Sequence, residues 1–190
     1  MKNKKALIIV LAIVAVIAIL VGSVISSYNG LVDERESVSN AQANIQTMLQ
    51  RRADLIPNLV NTVKGYAAHE EEVYTAIADA RSKLAGASTV DKMEQANSEL
   101  DSAISRLLVV VENYPELKAD TQFINLQDEL AGSENRISVA RKDYNDVAKA
   151  YNTHIKKFPA NIVASIFNFE QAEYFEASSE AQTVPSVNFD

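Results

Sequence analysis

The sequence predicts an all-α protein, with an N-terminal transmembrane helix followed by an antiparallel four-helix bundle and a short C-terminal helix and tail. Three observations predict it. Residues 6–25 hold eighteen Ala, Val, Ile or Leu, interrupted only by Gly22 and Ser23. Apolar residues then recur at alternating three- and four-residue intervals, which keeps them on one helical face. Nothing in the remaining chain reads as a sheet.

The apolar run comes first. Twenty helical residues rise roughly 30 Å, the thickness of a bilayer core. Lys2, Lys4 and Lys5 also resemble the start of a signal peptide, but an apolar region of that kind runs about 7 to 15 residues and ends at a small-x-small site. This run is longer and continues into Val24-Ile25-Ser26-Ser27-Tyr28, so an uncleaved anchor over 6–27 is the better reading. Flanking lysine and arginine resist translocation. Three lysines precede the anchor, and about fifteen residues after it offer only Arg35, beside Asp33, Glu34 and Glu36. The expected topology is a single-pass cell-membrane protein with residues 1–5 cytoplasmic and the remainder extracytoplasmic.

The first bundle helix is expected over about 28–52, on a stripe of Leu31, Val38 and Ile45 joined by Ala41 and Met48. The second is expected over 55–85, where Leu59, Val63, Tyr66, Glu70, Val73, Ile77, Ala80 and Leu84 are in phase. Asp54 is placed to cap it and Pro57 falls in its first turn. Gly86 suits a left-handed C-cap. The third helix, 89–112, carries Val90, Met93, Asn97, Leu100, Ile104, Leu107 and Val111. Asn113-Tyr114-Pro115 breaks before the fourth, 117–157, whose stripe runs from Phe123 to Phe158, and Phe158-Pro159 ends it. Short links make an antiparallel bundle the simplest way to bury four such faces. An even number of helices returns the chain to the membrane, where Ile162, Val163, Ile166, Phe167 and Phe169 either lie in the bilayer interface or plug the open end of the bundle.

The stretch Gln50-Arg51-Arg52-Ala53-Asp54-Leu55-Ile56-Pro57-Asn58-Leu59-Val60, then Thr62-Val63-Lys64-Gly65-Tyr66-Ala67 and His69-Glu70, resembles the signature of LemA family proteins. Tyr28-Asn29-Gly30-Leu31-Val32, Tyr114-Pro115-Glu116-Leu117-Lys118-Ala119, Tyr144-Asn145, Tyr151-Asn152, Phe158-Pro159 and Tyr174-Phe175-Glu176 follow in matching order. Two positions depart. Ala41-Gln42 stands where the family commonly has Ala-Trp, and Asn168 where a glycine before Phe169 is usual. The resemblance covers residues 28–176, leaving 177–190 as a C-terminal tail. It implies a single-pass membrane protein with a helical-bundle domain and no established enzymatic activity. It also implies a link to envelope proteins, and a relative in magnetotactic bacteria takes part in organising membrane compartments.

Chemistry is sparse. The chain has no cysteine, which excludes a disulfide framework, a thiol nucleophile, a Cys-based zinc site and a lipoprotein anchor. Beyond the first five residues, 15 basic residues face 25 acidic ones, a balance that argues against nucleic acid as a partner. His69 lacks the second histidine of a zinc-protease motif, because Val73 holds that position, and neither histidine has a glutamate three residues earlier. No metal and no cofactor are expected. His154, on an apolar stripe, reads as a hydrogen-bonded core histidine, and His69 as a structural hydrogen-bonding group. Glu70 interrupts an apolar stripe, and a buried carboxylate needs a partner. Glu70, Arg81 and Arg141 are therefore expected to form an ionic cluster that fixes helix register. Arg51, Arg52, Asp54 and Asn58 form the candidate docking patch, since exposed arginines favour interfaces. Read simply, the same arginines complement a helix C-terminus.

These features predict a non-enzymatic scaffold or adaptor of the cell envelope. Its expected partners are the lipid bilayer, further copies of itself and other envelope or membrane proteins. The alternative is an extracytoplasmic sensor whose bundle binds a small ligand or peptide.

Overall fold

The computed structural model describes residues 2–176, with side chains from Leu7 onward, so the 177–190 tail lies outside the described residues. The order is α1 (Lys2–Lys64), α2 (Glu71–Ala85), α3 (Val90–Val111), α4 (Pro115–Lys118), α5 (Thr121–His154) and α6 (Ala160–Ile166). All regular elements among the described residues are helices, as predicted.

Two compact units share α1 and α5. Among the described residues, the first comprises 2–41 together with 146–172, and the second 42–145 with 173–176. In the first unit, Leu31 and Val38 are buried along with Ala148, Tyr151, Ile155, Ala160, Val163, Ala164 and Phe169. In the second, four helical segments supply the core: Ile45, Leu49, Ile56, Leu59 and Val63 from α1, Ile77 and Leu84 from α2, Met93, Leu100 and Leu107 from α3, and Phe123, Leu130 and Ile137 from α5. Every position of the predicted 90–111 stripe is buried, Asn97 included. Thr89 caps α3 by accepting from the Lys92 amide at 3.3 Å.

The boundaries around residues 52–70 differ from expectation. No non-helical residue separates the anchor from the first bundle helix, and α1 runs 63 residues, through Asp54 and Pro57, to Lys64. Asp54 is therefore an interior residue rather than a cap. Pro57 has no N–H for the carbonyl four residues earlier, that of Ala53, which inside a helix costs about 3 kcal/mol. The Ala53 carbonyl instead accepts from Arg81 Nε at 2.9 Å. A donor from α2 thus takes over the missing bond, and the helix continues past its proline.

The break falls at Gly65–Glu70 instead. There the amides of Tyr66 and Ala67 both return to the Val63 carbonyl, and the Tyr74 hydroxyl donates to the Ala67 carbonyl at 2.6 Å. Gly86 ends α2 in right-handed geometry, φ −92° and ψ −3°, rather than the expected left-handed one. At the start of α5, Asp120 Oδ1 accepts from the Phe123 amide at 3.0 Å, so the helix opens at Thr121 rather than at 117.

Asn168, at φ 56°, lies in the left-handed region, which explains why a glycine suits this position and why Asn is a tolerated replacement. At the other departure from the family pattern, Gln42 Nε2 donates to the Ser88 carbonyl at 3.1 Å.

Candidate functional site

The predicted docking patch divides. Arg51 and Asp54 stay exposed and line a groove of about 800 Å³ with Gln46, Gln50, Leu84 and the Gly86–Ser88 turn. Asp54 accepts from Gln50 Nε2 at 2.8 Å and lies 3.9 Å from Arg81 Nη2. Asn58 is exposed but lies outside the groove lining, with its carbonyl accepting from the Thr62 hydroxyl.

Arg52 faces the other way and is only 5% exposed. Its guanidinium donates to Asn97 Oδ1 at 2.7 Å and Glu134 Oε2 at 2.5 Å, and forms a short ion pair with Asp101. Asn97 Nδ2 in turn donates to Asp101 Oδ2 at 3.0 Å. A rigid fork that serves three acceptors from two other helices is a geometry arginine supports and lysine does not. It makes a buried ionic cluster in the second unit, built on a residue expected at the surface.

The residues predicted to form that cluster are not joined. Glu70 is half-buried beside the α1–α2 turn and precedes α2 without a side-chain cap bond. Its expected place on an apolar face came from a helical phase that is broken at Gly65. Arg81 serves Ala53, as above. Arg141 stacks on Phe175, its guanidinium carbon 5.5 Å from the ring centroid, with Nε and Nη2 buried and without hydrogen-bond partners. His154 Nδ1 lies 3.0 Å from both carboxylate oxygens of Glu34, whereas His69 is exposed on the turn. Among the described residues no group of three or more His, Asp or Glu side chains is gathered as metal ligands would be.

One device was missed by sequence reasoning. In the first unit the Tyr151 hydroxyl donates to the Glu170 carbonyl at 2.8 Å, while Asn152 exchanges two 2.8 Å hydrogen bonds with the backbone of Ala172. In the second, the Tyr144 hydroxyl donates to the Glu173 carbonyl at 3.0 Å, and Asn145 exchanges bonds of 2.8 and 2.9 Å with the backbone of Phe175. The Tyr-Asn pairs recur at seven residues on the helix and their targets at three on the extended segment. Seven helical residues rise about 10.5 Å and three extended ones about 10 Å, so the two repeats match. The repeated Tyr-Asn dipeptide was the available signal. Burial raises the pKa of both phenols, keeping them as donors.

Among the described residues, exposed large apolar side chains run along α1 from Leu7 to Ile25. Its apolar stretch has a mean hydropathy of 3.3 over the best window, none of it buried, and is long enough to cross a membrane. Beyond that stretch, Tyr28 meets Phe167 edge to face at 4.8 Å and Phe169 at 5.7 Å.

Known proteins resemble the chain over most of its length. The chain is 30% identical over 92% of its length to magnetosome protein MamQ 2 of Paramagnetospirillum magneticum, covering 72% of that protein. It is 27% identical, with the same coverage, to magnetosome protein MamQ of Magnetospirillum gryphiswaldense. It is also 30% identical over 79% of its length to protein LemA of Metamycoplasma hominis, covering 69% of that protein. The apolar helix and these relatives make it a membrane-associated protein. The LemA family profile matches residues 41–189, and with the 30% identity to a LemA protein the chain belongs to the LemA family.

Proposed function

We propose that the chain is a non-enzymatic scaffold or adaptor of the bacterial cell envelope, acting by self-association, by docking membrane partners, or by both. The observation that carries this reading is the uninterrupted α1. The apolar stretch passes into the packed helix around Leu31 and Val38 without a non-helical residue. A bundle joined to its anchor by helix is restricted to a thin layer beside the bilayer, which raises its effective concentration for neighbours. The lysines before the anchor support a cytoplasmic N-terminus and an extracytoplasmic bundle. Membrane organisation is the wider role within this reading, supported by the relatives named as magnetosome proteins.

The groove around Arg51, Gln46 and Asp54 is the surface this function would present. A photo-crosslinking residue at Arg51, introduced in the full chain in intact cells, is expected to yield a self-adduct or an adduct with a membrane protein. Recovery of uncrosslinked monomer alone, together with a monomer by light scattering in mild detergent, overturns the scaffold. The size of the groove, about 800 Å³, also supports the second reading, a sensor that binds a small ligand or peptide. A monomer that copurifies with such a ligand favours the sensor.

A further inference from the structure

The short helix α6 has two apolar faces. Ala160, Val163 and Ala164 are buried in the first unit, the i, i+3, i+4 pattern of a helix packed on one side. On the other side Ile162 and Ile166 are 51% and 69% exposed, flanked by Phe158 at 81% and Phe167 at 50%. A water-facing helix carries polar groups at such positions, and a contiguous patch of this kind marks a surface made for something other than water.

The position of the patch says what covers it. Phe167 packs on Tyr28 with ring centroids 4.8 Å apart, and Tyr28 lies one helical turn beyond Ile25, the last residue of the apolar run. The exposed face of α6 therefore continues the lipid-facing surface of α1 at the level where that surface ends. Tyrosine at such a boundary is typical of the bilayer interface, where an aromatic body meets the acyl chains and a hydroxyl meets water. Exposed Lys156 and Lys157 immediately precede Phe158, and basic residues beside an apolar face suit the headgroup layer.

We propose that Phe158, Ile162, Ile166 and Phe167 are seated in the interface of the bilayer that α1 enters, so that the chain holds the membrane at two points, one spanning and one interfacial. The buried face of α6 closes the first unit while its opposite face lies in lipid. The proposal rests on insertion of the anchor, and its test separates the two. The chain contains no tryptophan, so each single Trp substitution introduces one fluorophore. Ile166→Trp reports on α6, Val16→Trp on the anchor and Val139→Trp on the second unit, all at exposed positions. The full chain is reconstituted into phosphatidylcholine–phosphatidylglycerol vesicles with acyl chains brominated near the headgroup or near the terminal methyl.

The expected result is blue-shifted emission from Ile166→Trp that is lost with the headgroup-proximal bromines. Val16→Trp loses emission with the deep bromines, and Val139→Trp with neither. Ile162→Trp, on the same face, behaves as Ile166→Trp does. Solvent-like, unquenched emission from both α6 variants, with Val16→Trp quenched, overturns the interfacial seat and leaves the anchor standing. An unquenched Val16→Trp removes the anchor and the interfacial seat together. A blue shift at Ile166→Trp that ignores bromine and disappears on dilution of protein in lipid assigns the face to a second copy of the chain, which also overturns the proposal.

Discussion

The two units close their cores in the same way and differ in the surface they leave outside. Each uses a Tyr-Asn pair on α5 to hold the extended segment after α6. In the second unit, however, the large apolar residues at the surface, Tyr66, Val109, Ile124, Val139 and Tyr174, are separated along the chain. In the first they form a continuous run from Leu7 to Ile25 and resume at Tyr28 and on α6. Scattered apolar residues are normal in water, but a continuous surface is not. The difference is one of solvent, with one unit built for water and the other partly for lipid.

Polar groups follow the same division. The second unit encloses Arg52 among Asn97, Asp101 and Glu134, whereas in the first the Glu34–His154 pair is about one-third exposed on each side. Arg52→Ala tests how far the second unit depends on its central charge. It leaves buried Asn97 without its donor and two carboxylates without their cation, though both carboxylates stay partly wet. The expected loss is about 3 kcal/mol, the low end for breaking a buried pair. Urea unfolding of the micelle-bound chain measures it. Arg52→Lys is expected to recover only part, because an ammonium does not reproduce the fork. A loss no greater than that of a surface substitution would show that the apolar core alone sets the register.

Arg81 gives a sharper test, because its role is conditional on a residue in another helix. Arg81→Ala strands the buried Ala53 carbonyl, at an expected cost of about 2 kcal/mol. In a Pro57→Ala background the helix supplies its own donor to that carbonyl, and the same substitution is expected to cost well under half as much. Equal losses in both backgrounds, read as a double-mutant cycle, would mean that Arg81 acts through Asp54 or packing instead.

The shared tail device predicts matched but separable effects. Asn145→Ala and Asn152→Ala each remove two hydrogen bonds to backbone, an expected loss of about 1.5 kcal/mol apiece. Native-state hydrogen exchange distinguishes them. Asn152→Ala exposes the Ala172 amide and Asn145→Ala the Phe175 amide. If either substitution releases both amides together, the two units open as one and the division between them is not energetic.

These cases also show what was legible beforehand. The anchor, the α3 stripe and the all-helical class rest on composition and local periodicity, which one segment carries by itself. The helix limits at 52–70 did not, because they depend on remote partners. Pro57 reads as a helix start until Arg81, in another helix, is seen to serve the Ala53 carbonyl. Arg52 reads as a surface cation because its acceptors lie 45 to 82 residues away. The Tyr-Asn pairs are visible as a repeat, but their targets follow 19 to 30 residues later in an extended segment with no periodic signal. The groove at Arg51 takes one wall from Leu84 and the Gly86–Ser88 turn, and of its lining only Arg51, Ala53 and Asp54 belong to the Arg51–Asn58 stretch.

The smallest expected effect concerns a local cap in the second unit. Asp120 accepts from the Phe123 amide and from the Tyr66 hydroxyl at 3.0 Å each. The amide first, then the phenol, holds its carboxyl below the ordinary carboxylate range, and the same pair raises the Tyr66 phenol. A folded-state pKa below the unfolded one means that this stability is fully present above roughly pH 4 and is lost as pH falls through the lowered value. For Tyr66 the sign reverses. Its raised pKa gives stability present below roughly pH 10 and lost as pH rises beyond it. Asp120→Asn keeps an acceptor for the amide but carries no titrating charge. It is therefore expected to flatten the acid limb of the stability curve slightly and to bring the Tyr66 titration back toward its ordinary range. Both groups are well solvated, so the change is expected to be small beside that of Arg52→Ala. Thermal melts across the acid range together with ultraviolet titration of the tyrosines measure the two halves. An acid limb that steepens in Asp120→Asn, or a Tyr66 titration that does not move, would show that the pair is a contact without energetic coupling.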